Sequence, residues 1–251
     1  MPTCKLSYFC CEKLGNKEIE NEDAYLIPTP SEIEIETSIK IAVSDGATES
    51  SFSKEWADLL VSYFKDYSFE AENLSAILEK ARDSWFDKIK NIELPWYAQE
   101  KIQQGAYASL LGVTIDLREL TWKAVAIGDS NLFVIKEGNL VKAFPIVSEE
   151  GFGSTPYLLS SKPSQNLEID AQVLMTSGVL ESGDLVVIGT DAISAWFLTE
   201  THKGGNPWLD LKNLLGGNGY SKTDFINWLN NKRFEKEIKN DDTTIIIVEI
   251  M

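Results

Sequence analysis

"IAVSDGATESSF", residues 41–52, carries the chain from an apolar run into a polar turn and then towards a helix. The alternation through Ile39, Ile41 and Val43 reads as a strand that stops at Asp45-Gly46. From about Lys54 the period changes, and Trp56, Leu59, Leu60, Tyr63 and Phe64 recur at helical spacing up to Asp66. A lone Asp-Gly is ordinary turn chemistry. The same junction recurs, however. Asp191 closes "LVVIGTD", Asp129 follows "AVAIG", Asp241 and Asp242 precede "TTIIIVEI", and Glu22 and Asp23 precede "AYLI". If these strand ends meet, their carboxylates repel and raise one another's pKa, and a divalent cation is the natural relief. Carboxylate and carbonyl oxygens suit Mg²⁺ or Mn²⁺ rather than zinc.

The remaining sequence reads as α+β. Residues 5–11 and 23–27 read as strands, and Ile33 to Val43 as a hairpin turning near Thr37-Ser38. A second helix is expected over Leu74–Ile89 and a third segment from Pro95 towards Ala108. A meander of short strands follows from Ser109 to Phe144, with turns at Arg118-Glu119 and Glu137-Gly138. Residues 145–170, rich in Ser, Pro and Gly, read as an irregular surface excursion. "DLVVIGTD" is a strand, a helical region runs from "SAWFLTE" past two Gly-rich loops to about Phe234, and "DDTTIIIVEI" is a closing strand. Helices come in blocks instead of alternating with strands, which favours α+β over βαβ.

Composition narrows the function classes. The 251 residues are 43% hydrophobic and 25% charged, ample for one domain, 1–251, with a sizeable core. A net charge of −16 argues against nucleic acid and anionic membranes as partners. No stretch has the length of an apolar membrane span, and no apolar h-region follows the first residues, so a cytoplasmic location is expected. Cys4, Cys10 and Cys11 are too few and too clustered for a disulfide framework, and with one histidine, His202, they make no zinc set. Most tryptophans, including Trp208 and Trp228 beside the Gly-rich loops, are expected to pack, and His202 is expected in an exposed loop.

In order, "NEDAY", "IAVSDGA", "GAYASLLGVTI", "AVAIGDSNLFVI", "SGDLVVIGTDAIS" and "NDDTTIIIV" resemble the successive motifs of the type-2C metal-dependent protein phosphatases (the PPM family), in their compact bacterial form, across residues 21–248. The resemblance implies a four-layer αββα sandwich of two antiparallel sheets flanked by helices. It implies two Mn²⁺ or Mg²⁺ ions, with Asp45 bridging them, the Gly46 carbonyl on one, and Asp191 and Asp241 completing the other. Glu22 and Asp23 would act through water, and Asp242 would support the ligands. A metal-activated water would then hydrolyse phosphoserine or phosphothreonine in a protein substrate, opposing a Ser/Thr kinase, in a protein expected to be a monomer.

Three positions depart from the family pattern. The phosphate-gripping Arg is replaced by Glu18, leaving Lys17 as the nearby cation, and the chain's arginines are Arg82, Arg118 and Arg233. Ala47 stands where some members carry a general-acid His. Asp129 is present for a third ion but Ala195 replaces its partner, so a third site is not expected to hold well. These departures motivate an alternative: a catalytically weak domain that binds a phosphorylated partner or regulates a kinase.

Overall fold

The apolar runs are continuous because most strands are covered on both faces. The computed structural model describes residues 3–70, 72–92, 102, 104–153, 155–166, 169–216 and 221–251. One antiparallel sheet has the order β1 (Cys4–Cys11), β12 (Thr243–Ile250), β11 (Leu185–Gly189), β7 (Asn131–Lys136), β8 (Asn139–Phe144). The other has the order β10 (Leu174–Val179), β6 (Thr121–Ile127), β5 (Leu110–Asp116), β3 (Ser38–Ser44), β2 (Ala24–Leu26). Ile39, Ile41 and Val43 of β3 and Val113 and Ile115 of β5 face Val186, Ile188, Ile246 and Val248 across the space between the sheets. The alternate residues of the same strands face outward under helices, which gives the four layers expected.

Helices α2 (Ser53–Asp66) and α3 (Leu74–Ile89) cover the second sheet through Trp56, Leu60, Phe64, Leu78 and Trp85. Their ends fall where the sequence spacing places them. A short helix α1 (Pro30–Ile35) precedes β3, and α4 (Ile169–Gln172) precedes β10. The first sheet is covered by α5 (Asp191–His202), α6 (Pro207–Gly216) and α7 (Lys222–Phe234). Trp196, Phe197, Trp208, Phe225 and Leu229 form that layer against Phe133, Val187, Ile245 and Ile247. Trp208 is therefore core, and Trp228 packs edge-on against Trp196. Gly112 lets α2 approach closely, since a Cβ there would lie 2.4 Å from the Phe64 ring.

Four expectations are corrected. Residues 30–35 are helical and not the first arm of a hairpin, because Pro30 occupies the first turn and Thr29 and Glu32 cap each other reciprocally. Ile35 is accordingly 80% exposed, and β3 pairs with β2 and β5. The meander is split: β5–β6 and β7–β8 are hairpins in different sheets, and the chain crosses between them at Gly128–Ser130. The β7–β8 turn is the tight one expected, with Glu137 and Gly138 both at positive φ. The excursion at 145–170 is not all surface. Leu159 and Ser160 form β9, which pairs with β4 (Tyr107–Ala108), and the Leu159 carbonyl accepts from the buried Trp56 indole at 2.9 Å. His202 ends α5 and pairs with Glu149.

The segment expected from Pro95 towards Ala108 lies largely outside the described residues, as does the loop at 217–220. Among the described residues no helix is long and apolar enough to cross a membrane. The three cysteines are free thiols.

Candidate metal centre

Antiparallel pairing brings the acidic junctions to one end of the sandwich. In such a pair the end of one strand lies beside the start of its neighbour. β3 ends with Ser44 opposite Ala24 at the start of β2. That places Asp45 near Asp23. β11 ends with Gly189, opposite Ile245 near the start of β12 and Asn131 at the start of β7. That places Asp191 near Asp241, Asp242 and Asp129. Side-chain bonds tie the ends together. Ser44 Oγ donates to the Ser109 carbonyl (2.6 Å), the Asp45 amide donates to Ser109 Oγ (3.0 Å), and Ser109 Oγ lies 2.8 Å from Ser130 Oγ.

Asp23 is the deepest of the carboxylates, 2% exposed. Its Oδ2 accepts from Thr244 Oγ1 (2.8 Å) and Thr190 Oγ1 (3.1 Å), while its buried Oδ1 has no partner. Burial, reinforced by the charges of Asp242 and Asp191, pushes Asp23 well above the usual carboxylate range against the pull of the two threonines. Asp45 is half-buried and also well raised, by burial first and then by Asp23, Asp191, Asp129 and Asp241. Asp129 is raised to about 6 by burial and Asp191. The charge of Asp191 thus acts on Asp23, Asp45 and Asp129, and that of Asp241 on Asp45 and Asp129.

The other expected residues have supporting positions. Asp242 accepts from the Lys13 amide on Oδ1 and the Glu22 amide on Oδ2, both at 2.8 Å, so it clamps the two segments that lead to β2. Glu22 accepts from Ser53 Oγ at the start of α2 (2.5 Å). Gly46 is tightly held: a Cβ there would lie 2.7 Å from the Glu22 carbonyl oxygen. Lys17 is exposed on a short turn, its amide donating to Glu20 Oε2. Glu18 is also exposed and faces Lys222 at 3.7 Å. Closer in, Lys13 directs its ammonium to Thr48 Oγ1 (3.0 Å) in the loop after Asp45-Gly46, with Glu22 Oε2 at 3.8 Å.

Sequence reasoning missed several contributors. Thr190 and Thr244 adjoin the acidic motifs, in "GTD" and "DDTT", and that adjacency is the signal that would have found them. Arg233, buried in α7, donates to the Asp241 carbonyl, to Thr243 Oγ1 (3.1 Å) and to the Glu12 carbonyl (3.1 Å), fixing the approach to β12. Lys239 lies 2.6 Å from Asp241 Oδ2 and 3.4 Å from Asp191 Oδ2. Cys10, beside Asp23, has its thiol pushed up to about 12 by burial and by that neighbouring charge, so in the ion-free protein it is a neutral thiol.

Among the described residues no three His, Cys, Asp or Glu side chains form a closed ion site. Asp191 Oδ1 takes the Ala192 amide, Asp241 Oδ1 takes the Asp242 amide, and Lys239 lies against the second oxygen of each. The donor chemistry nonetheless fits a hard divalent cation. The set is all oxygen, partly buried and self-repelling, and includes an unpartnered buried Asp23 oxygen.

No family model matches the chain. In sequence it is 31% identical over 121 residues to probable protein phosphatase 2C 80 of Arabidopsis thaliana, a match that takes in 48% of this chain and 27% of the relative. In structure it is similar to a bacterial serine phosphatase, with TM-score 0.63, 13% identity and 98% of each chain covered. It is similar to the catalytic domain of the serine/threonine protein phosphatase PstP in complex with two manganese ions, with TM-score 0.61, 12% identity and 100% of each chain covered. RsbX in complex with magnesium matches with TM-score 0.54, 16% identity, over 99% of this chain and 96% of that one. At these identities the structural likeness concerns the fold, and it is the type-2C phosphatase fold that the six sequence motifs resemble.

Proposed function

We propose that this type-2C phosphatase-like chain is one domain, 1–251, that hydrolyses phosphoserine and phosphothreonine in proteins with the help of Mn²⁺ or Mg²⁺. The observation that carries the proposal is the convergence of Asp45, Asp129, Asp191 and Asp241 over the buried Asp23 at one end of the sandwich. Asp45, the Gly46 carbonyl, Asp191 and Asp241 would hold two ions. Bound there, the ions would supply Lewis acidity to water for in-line attack on phosphorus and charge to offset the phosphate.

The chain's own groups supply the frame. Thr190, just after β11, and Thr244, in β12, hold Asp23 from the opposite sheet's side, and Asp242 fixes Glu22 and Lys13 through their amides. The Lys13 ammonium provides positive charge beside the loop that follows Asp45. With Ala47 in that loop, the leaving group would take its proton from solvent. A phosphorylated protein, and a kinase that makes it, are the partners this chemistry requires; nucleic acid and membrane surfaces are not. A monomer in the cytoplasm remains the simplest setting.

Lys239 favours the second reading, a catalytically weak domain that binds or regulates a phosphorylated partner, because its ammonium already pairs with Asp191 and Asp241. Hydrolysis of an aryl phosphate and of a phosphothreonine peptide by the purified protein separates the two. Turnover that requires Mn²⁺ and stops with a chelator supports the enzyme. Binding of the peptide without turnover supports the second reading.

A further inference from the structure

Lys239 reaches into the acidic cluster from its rim. Its ammonium lies between the second oxygens of Asp241 and Asp191, at 2.6 and 3.4 Å, two carboxylates on different elements that otherwise repel. The first oxygens of both are already engaged by backbone amides. The stem beneath is anchored, since the Lys239 carbonyl accepts from the Asp241 amide at 2.9 Å. The side chain itself is 66% exposed, so it can leave through solvent without disturbing packing. A protonated amine has no lone pair to offer an ion. At such distances its charge and that of a divalent cation on the same two oxygens repel, which favours one occupant over both.

We propose that Lys239 is a built-in counter-ion: its ammonium holds Asp191 and Asp241 together in the ion-free protein and must be displaced before a divalent cation can take the same oxygens. This rests on the reading of Asp191 and Asp241 as ion ligands. Ion binding is then an exchange of one cation for another, and position 239 sets the affinity. The ion-free chain keeps its acidic end closed by an internal ion pair.

The test is Mn²⁺ titration of the chelator-treated full chain by calorimetry, with thermal melting of the ion-free protein alongside, for wild type, Lys239→Met and Lys239→Arg. Exposed ion pairs are weak, so Lys239→Met is expected to bind Mn²⁺ about three- to tenfold more tightly and to melt lower when ion-free. Lys239→Arg, which keeps the charge, should stay within about twofold of wild type. If wild type binds Mn²⁺ and Lys239→Met binds equally or less tightly, the counter-ion proposal is overturned and the metal reading stands. If only Lys239→Met binds, the proposal holds and a resident ion in the wild-type protein is ruled out. If neither binds, both fall.

Discussion

Asp129→Asn is expected to stabilise the ion-free protein above neutral pH and to do little near pH 4. Asp129 is 7% exposed at the crossover between the sheets. Burial, then the Asp191 charge, raises its carboxyl from 3.8 to about 6; its own backbone amide and Lys239 pull the other way, and Asp241 adds to the rise. A carboxyl raised in the folded state binds its proton more tightly when folded. Its contribution to stability is therefore fully present below about pH 3.8 and is lost as pH rises through about 6. At about 1.4 kcal/mol per pH unit, the ionised form costs about 3 kcal/mol above that range. Asn keeps the shape without the charge. For a chain of this length 1 kcal/mol moves Tm by roughly 2–4 °C, so Asp129→Asn should melt roughly 6–12 °C above wild type at pH 8. Near pH 4 the gap should shrink to about 2 °C or less. Thermal melts in chelator between pH 4 and 8 read this directly, and excess Mn²⁺ should narrow the gap by stabilising wild type. A variant less stable than wild type at pH 8, or a gain that does not change with pH, would refute the electrostatic account of this site.

Asp191→Asn should reduce Mn²⁺-dependent aryl phosphate hydrolysis by at least about 100-fold with an unchanged circular dichroism spectrum, because it removes ligand charge and no core volume; near-normal rates would remove Asp191 from the ligand set. Glu18→Arg should lower the KM for a small phosphate ester by about tenfold, with kcat affected much less, since a guanidinium would replace an exposed repelling carboxylate; an unchanged KM would place position 18 away from the phosphate. Gly112→Ala should cost about 1–3 kcal/mol in denaturant unfolding, as its methyl would meet the Phe64 ring; a neutral result would mean that α2 slides freely on the sheet.

Much of this fold could be read from period alone. Helices 54–66 and 74–89 and the strand ending at Ser44 were legible because their apolar spacing is strong and agrees with their burial. Residues 30–35 misled because alternating Ile and Glu imitate a strand while the Thr29–Glu32 cap, a local bond, decides for helix. The split of the meander between two sheets was hidden because both hairpins look alike until a partner is chosen. In the site, the aspartates announced themselves by recurring at strand ends. Lys13 and Lys239 did not, because their roles depend on bonds across the fold. The Lys13 amide meets a carboxylate 229 positions away, and Lys239 meets one 48 positions away.

The ordinary explanation for an acid at a strand end is a turn, in which the side chain caps its own backbone and otherwise faces water. Part of that is present: Asp191 accepts from the amide beside it, and so does Asp241. It does not account for Asp23, held by Thr190 just after β11 and Thr244 in β12 with one oxygen buried and unpaired. Nor does it account for Asp45, lifted by burial and then by four other aspartates. Asp129 alone costs about 3 kcal/mol when ionised, against a typical net stability of about 5–15 kcal/mol for a folded domain. An ion present at 100 times its Kd returns about 2.7 kcal/mol. The cost of ionising this buried carboxyl and the compensation an ion can supply are thus of the same size. Lys239, as a single exposed charge, supplies less than that. A protein that met this charge with Lys239 alone would carry a permanent deficit at neutral pH; one that binds a divalent cation at the same oxygens would not.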